Sequence, residues 1–232
     1  MAFDLKTFQT RTVTATVFAV VMLAGLLWSA WTFIILFTII HFGCWFEFVR
    51  LLKKINGTTW WYFLPLGLLY ITLPILLIII CGFPYIDSIL FQRGYEDAWN
   101  YSPIIPCGII FSIWVNDTMA YIVGSLIGKT PLSRISPKKT WEGTIGGVIL
   151  CILTISFAGK ATGFYSFDVW FILSACCAIF GTLGDLLESK FKRMANAKDS
   201  GTFLPGHGGF LDRFDSLLIA SIPAGLYYIF LR

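Results

Sequence analysis

The chain has 232 residues, 57% of them hydrophobic and 13% charged, with a mean hydropathy of +0.78 and a formal net charge of +4. That is far from the mixture of a soluble globular domain, and no nucleic-acid partner is expected. Apolar runs of about 20 residues match the length a helix needs to cross a ~30 Å hydrocarbon core, so the composition predicts an all-α, polytopic integral membrane protein.

About seven such runs stand in the sequence, at 12–29, 31–49, 60–82, 103–127, 143–159, 165–187 and 211–231. The first two are almost contiguous and predict a tight helical hairpin. Trp28, Trp31, Trp60, Trp61, Tyr62, Trp99 and Tyr101 fall near expected span ends, where amphipathic rings favour the membrane interface. The polar start with Lys6 and Arg11 reads as a retained N-terminus rather than a cleavable leader, since no small-residue cleavage site follows. With that N-terminus cytoplasmic, every Lys and Arg except Arg93, Lys160 and Arg232 falls on the cytoplasmic side. This is the charge bias that orients membrane proteins, and the basic side would also attract anionic headgroups. Cys44, Cys81, Cys107, Cys151, Cys176 and Cys177 lie in or beside apolar runs without C-x-x-C spacing, and are expected to be reduced packing residues.

In chain order, residues 1–102 are read as three N-terminal spans with a connector at 83–102, and residues 103–232 as four further spans that carry most of the polar motifs. His41 is expected to be a hydrogen-bonded packing residue. Glu47 has Arg50 three residues on, which predicts a local ion pair. Pro65 and Pro74 predict a bend in the third span. In the fourth span Ser112, Asn116, Asp117 and Thr118 interrupt an apolar helix. A carboxylate at that depth is costly, so Asp117 is read as functional and as facing an aqueous cavity. Gly124 and Gly128, four apart, predict close helix approach.

The loop at 129–143 carries Lys129, Arg134, Lys138 and Lys139. Ser136-Pro137 resembles a helix start, Thr140 a cap for the fifth span, and cations near helix N-termini suit phosphate. Beyond it, Gly184 to Ser216 gathers Asp185, Glu188, Asp199, Asp212 and Asp215 with Lys190, Lys192, Arg193, Lys198 and Arg213. Carboxylates suit hard divalent cations, and cations with Gly-rich backbone amides suit phosphate oxygens. The concentration of charge points to a site for a metal-bound polyphosphate. On a continuing helix, Asp185, Glu188 and Ser189 share one face, and Asp212 and Asp215 stand three apart on another.

The order Ser189, Lys192-Arg193, Lys198-Asp199, Gly201, Pro205, His207-Gly208-Gly209 and Asp212-Arg213-Phe214-Asp215 resembles the signature of the phosphatidate cytidylyltransferase (CDP-diacylglycerol synthase) family. Gly184 to Glu188, Asn116-Asp117-Thr118 with Ala120-Tyr121, and Ser136 to Thr140 with Glu142-Gly143 are similar too. The resemblance implies a helical inner-membrane enzyme, its active site facing the cytoplasm, that joins CTP and phosphatidate into CDP-diacylglycerol and pyrophosphate. It also implies Mg2+, a possible K+ beside it, and a homodimer. On that footing Asp185, Asp212 and Asp215 are assigned to the metal, with Ser189 as a further oxygen. Lys198, Arg213, Lys138 and Lys139 are assigned to the triphosphate, and Lys192 and Arg193 to nucleotide or lipid headgroup. His207, Gly208 and Gly209 would meet a phosphate, while Asn116 and Asp117 form the cavity floor. The competing readings are a CTP-dependent enzyme acting on another lipid phosphate or a polyprenol, and an ion-coupled transporter.

Overall fold

The structure, a computed structural model, describes residues 5–83, 101–203 and 208–231. Among the described residues it is all-helical. The elements are α1 (Leu5–Leu27), α2 (Ala30–Asn56), a 3-10 segment (Gly57–Phe63), α3 (Leu64–Gly67), a π-helical segment (Leu68–Thr72) and α4 (Leu73–Cys81). After these come α5 (Ile104–Ile127), α6 (Trp141–Ala161), α7 (Phe167–Met194), α8 (Leu211–Leu226) and a terminal π-helical turn (Tyr227–Leu231).

The hairpin expected at the start is present, because Trp28 and Ser29 are the whole link between α1 and α2. Ser29 forms a capping box: its hydroxyl accepts from the Thr32 N–H at 3.2 Å, and the Thr32 hydroxyl accepts from the Ser29 N–H at 3.0 Å. The run expected at 60–82 is less regular than a single helix. A π-helical turn interrupts it between Pro65 and Pro74, where proline removes a backbone donor. The helical stretch 30–81 folds back on itself, since α2 packs against α3, the π-helical segment and α4. His41 donates to or accepts from Thr72 Oγ1 at 3.0 Å across this hairpin, and Trp45 Nε1 donates to the same oxygen.

Small residues set the spacing of α5 and α6. A Cβ placed on Gly143 would lie 2.7 Å from the Ala120 carbonyl, and one on Gly147 would lie 2.7 Å from the Ala120 Cβ. Gly124 faces Thr140 and Gly143, so the expected close approach is real. α7 continues to Met194, past the apolar run that suggested it, because its last turns are amphipathic. Asn196 then takes a left-handed conformation (φ 49). Its N–H donates to the Arg193 carbonyl at 3.0 Å, and the Ala197 N–H to the Lys192 carbonyl at 2.9 Å, a Schellman ending that turns the chain back.

Among the described residues, four helical stretches are long and apolar enough to cross a membrane: 30–81, α5, α6 and α7. Large apolar side chains such as Trp31, Phe42, Phe46, Leu126 and Phe157 are exposed on their outer faces, as lipid contact requires. The chain is an integral membrane protein. Tyr101, expected at an interface, is turned inward: its hydroxyl donates to the Leu26 carbonyl at 2.5 Å and its ring packs on Phe33. The six cysteines are free thiols, as their spacing suggested. Trp99 and most of the 83–102 connector lie outside the described residues.

Candidate active site

The site forms where three helix ends meet. α7 and α8 cross so closely that a Cβ on Gly184 would lie 2.5 Å from the Asp215 carbonyl. That crossing places Asp185 and Asp215 on one cavity of about 420 Å³. Its polar wall also carries Asp117, Lys192, Asp199, Asp212 and Arg213. Phe18 and Met22 of α1, with Ile110, Ile113 and Trp114 of α5, form the apolar wall. An adjoining cavity of about 500 Å³ carries Lys138, Lys139, Ser136, Thr140, Asn116 and Thr182. Asp117 and Asp185 line both.

The two cavities differ in charge. The first is rich in carboxylates, the second bears lysines. Lys139 joins them through an ion pair with Asp185 Oδ2, while the Ser189 hydroxyl donates to Asp185 Oδ1 at 3.3 Å. Asp117 is exposed to this space, which relieves the cost of a carboxylate midway along an apolar helix. Asn116 is 2% exposed. Its amide donates to Thr182 Oγ1 at 3.4 Å, and its Oδ1 has no protein partner.

The loop before α6 owes its shape to a carboxylate. Glu142, in the first helical turn, accepts from the backbone N–H groups of Lys129 and Thr130 at 3.2 Å. Thr140 caps α6 as expected, accepting from the Gly143 N–H at 3.1 Å. Ser136-Pro137 does not start a helix. It forms a turn in which the Lys139 N–H donates to the Ser136 carbonyl at 3.1 Å. Proline suits the second position of such a turn as well as it suits a first helical turn, so the same dipeptide serves either. The turn holds Lys138 and Lys139 beside the second cavity.

Asp212 sits in a different environment from Asp185 and Asp215. Its Oδ2 accepts from Gly209 N–H at 2.8 Å and Ser200 N–H at 2.9 Å, and its Oδ1 lies 2.6 Å from Lys192 Nζ. Lys192 also pairs at 2.5 Å with Glu188, whose side chain is fully buried. The residue that organises this loop is one that local spacing assigned elsewhere. Glu47, 4% exposed, accepts from Ser200 Oγ at 2.6 Å, Phe210 N–H at 3.0 Å and Leu211 N–H at 2.9 Å. It therefore caps α8 from across the bundle, instead of forming the expected pair with Arg50. Cβ atoms on Gly201 and Gly209 would lie 2.0 and 2.1 Å from a Glu47 oxygen, which explains the glycines of the motif. Gly208 has φ 86, a left-handed position that glycine fills without strain.

The remaining assigned residues are placed unevenly. Arg213 and Lys192 line the first cavity, and Lys138 and Lys139 the second. Arg193 is exposed and donates to the Ala197 carbonyl at 3.3 Å, and Lys198 is exposed; neither lines either cavity. His207 lies outside the described residues. Among the described residues, no group of three His, Cys, Asp or Glu side chains stands close enough to hold a metal. Asp185, Asp212 and Asp215 thus border one cavity without forming a ready ligand cluster.

Residues 80–231 match the model of the cytidylyltransferase family. A phosphatidate cytidylyltransferase of Staphylococcus haemolyticus is 50% identical over 109 residues, which cover 46% of this chain and 42% of that protein. One from Staphylococcus aureus is 48% identical over the same length. Phosphatidate cytidylyltransferase 5, chloroplastic, of Arabidopsis thaliana is 44% identical over 127 residues, 54% of this chain and 30% of that protein. The chain thus spans less than half the length of these relatives. With the charged lining of two adjoining cavities falling inside the matched stretch, the chain belongs to the cytidylyltransferase family.

Proposed function

We propose that the chain transfers the cytidylyl group of CTP to phosphatidate, giving CDP-diacylglycerol and pyrophosphate. The observation that carries this reading is the pair of cavities sharing Asp117 and Asp185, carboxylate-rich on one side and lysine-bearing on the other. A polyphosphate needs cations and a lipid phosphate needs an apolar approach. The second cavity offers the first through Lys138 and Lys139, and the Phe18, Met22, Ile110 and Ile113 wall offers the second.

The phosphate monoester of phosphatidate is already an anion near neutral pH, so it needs no strong general base. Its oxygen attacks the α-phosphorus of CTP, the bond from that phosphorus to the bridging oxygen breaks, and pyrophosphate leaves. The barrier lies in bringing two anions together, so charge neutralisation and alignment dominate. Lys138, Lys139 and Arg213 hold the triphosphate and the departing pyrophosphate. Asp185 and Asp215 are hard oxygen donors on one wall and fit Mg2+, which commonly takes one or two carboxylates and fills its other positions from substrate phosphates and water. When bound, that ion supplies further neutralisation of phosphate charge. A second, monovalent cation beside it belongs to the same proposal. Asp212 is given the role of loop clamp, since Ser200, Gly209 and Lys192 already hold its oxygens.

The reading extends to the membrane. Counting the folded-back stretch 30–81 as two passes, and adding α1 and α8, gives about seven spans. The N-terminus and the site face the cytoplasm of an inner membrane, and the chain forms a homodimer. The test is incorporation of labelled CTP into lipid by the purified chain supplied with phosphatidate and magnesium. CDP-diacylglycerol and pyrophosphate are the expected products, and no turnover of CTP overturns the reading. Asp185→Asn and Asp215→Asn are expected to lower kcat by roughly a hundredfold or more. Full activity in both removes them from cation binding.

A further inference from the structure

α2 has two working faces near its C-terminal end. The inner one carries Glu47, with Cys44, Phe48, Leu51 and Leu52 buried around it. The outer one carries Phe42, Trp45, Phe46, Val49, Arg50, Lys53 and Lys54, which line a groove of about 680 Å³. Phe42 and Phe46 are 66% and 71% exposed, and Arg50, Lys53 and Lys54 are exposed as well. The spacing 42, 46, 49, 50, 53 follows one side of a helix. Aromatic rings therefore run along the groove and the cations close its end.

The charge of this groove is uncompensated by its own helix. Glu47 is the one carboxylate in α2, and its oxygens are engaged by Ser200, Phe210 and Leu211 on the opposite face. Lys53 is held in place over the Trp60 ring at 4.7 Å from its centroid, a contact that fixes the ammonium without neutralising it. Three cations beyond an apolar strip complement one kind of molecule in a bilayer: a lipid whose chain lies on Phe42 and Phe46 and whose anionic headgroup meets the basic turn.

We propose that the outer face of α2 is a binding site for an anionic phospholipid, separate from the cavities of the transfer reaction. The inference rests on the chain's crossing the membrane and not on its acting on CTP, so the two can fail independently. Lipid bound there grips the turn that carries Glu47 on its other side.

The test is native mass spectrometry of the full chain released from detergent in the presence of phosphatidylglycerol or of phosphatidylcholine. The wild type is expected to retain an additional phosphatidylglycerol and no matching phosphatidylcholine. The combined Arg50→Gln, Lys53→Gln, Lys54→Gln variant should weaken that retention on the order of a hundredfold. The charge-keeping Arg50→Lys, Lys53→Arg, Lys54→Arg variant should preserve it, which separates lost binding from lost folding. Equal retention of both lipids by the wild type overturns the proposal. So does an anionic preference that survives in the glutamine variant. Crosslinking of Phe42 and Phe46 positions to a second copy of the chain, with no lipid retained, would assign the face to self-association and overturn it as well.

Discussion

Glu47 is where a single side chain matters most to the shape of the site. It receives a hydroxyl and two backbone N–H groups while only 4% exposed itself. Glu47→Ala leaves those donors buried without a partner, at a cost on the order of 3 kcal/mol. A fall in the thermal midpoint of the detergent-solubilised protein checks this, and Glu47→Gln should fall between the two because its amide accepts through one oxygen only. The motif carboxylates were legible in the sequence because charge is rare in this chain and clusters there. Glu47 was not, since its partners lie 153 or more residues away while Arg50 stands three residues on and offers a local explanation. Asp212 shows the same limit. Spacing pairs it with Asp215, yet its oxygens turn to Ser200 and Gly209 while Asp215 borders the α7 crossing.

Helix contacts decide how closely the acidic side chains of the cavity stand. At Gly184 an added methyl would meet the Asp215 carbonyl at 2.5 Å, a backbone atom that cannot rotate away. Gly184→Ala should therefore push α7 from α8 and part Asp185 from Asp215, costing about 1–3 kcal/mol in stability. A far larger proportional loss of CTP incorporation is expected. Gly147→Ala, which meets Ala120 in the α5–α6 contact, should carry a similar stability cost, checked by the same unfolding measurement. Most helices were readable from apolar length and small-residue spacing. The exceptions have identifiable causes: α7 runs on because its last turns are amphipathic, Tyr101 turns inward to reach the Leu26 carbonyl, and Ser136-Pro137 fits a turn and a helix start equally well.

At the scale of the whole molecule, the N-terminal helices complete the site that the motifs define. α2 supplies Glu47 to Ser200, Phe210 and Leu211, and α1 supplies Phe18 and Met22 to the cavity wall. Residues 103–232 expressed alone are therefore expected to show no CTP incorporation, and co-expression with residues 1–102 should restore it. Wild-type turnover by the fragment alone would sink the claim. The contact between Lys139 and Asp185 has a thermodynamic consequence. One ammonium carries a single positive charge, so on the proposed reading a triphosphate arriving at Lys139 leaves the Asp185 carboxylate incompletely neutralised. A cation bound at Asp185 would then be expected to tighten nucleotide, and nucleotide to tighten that cation by the same factor. Calorimetric titrations run in both orders should show this mutual enhancement, and Lys139→Gln should flatten it.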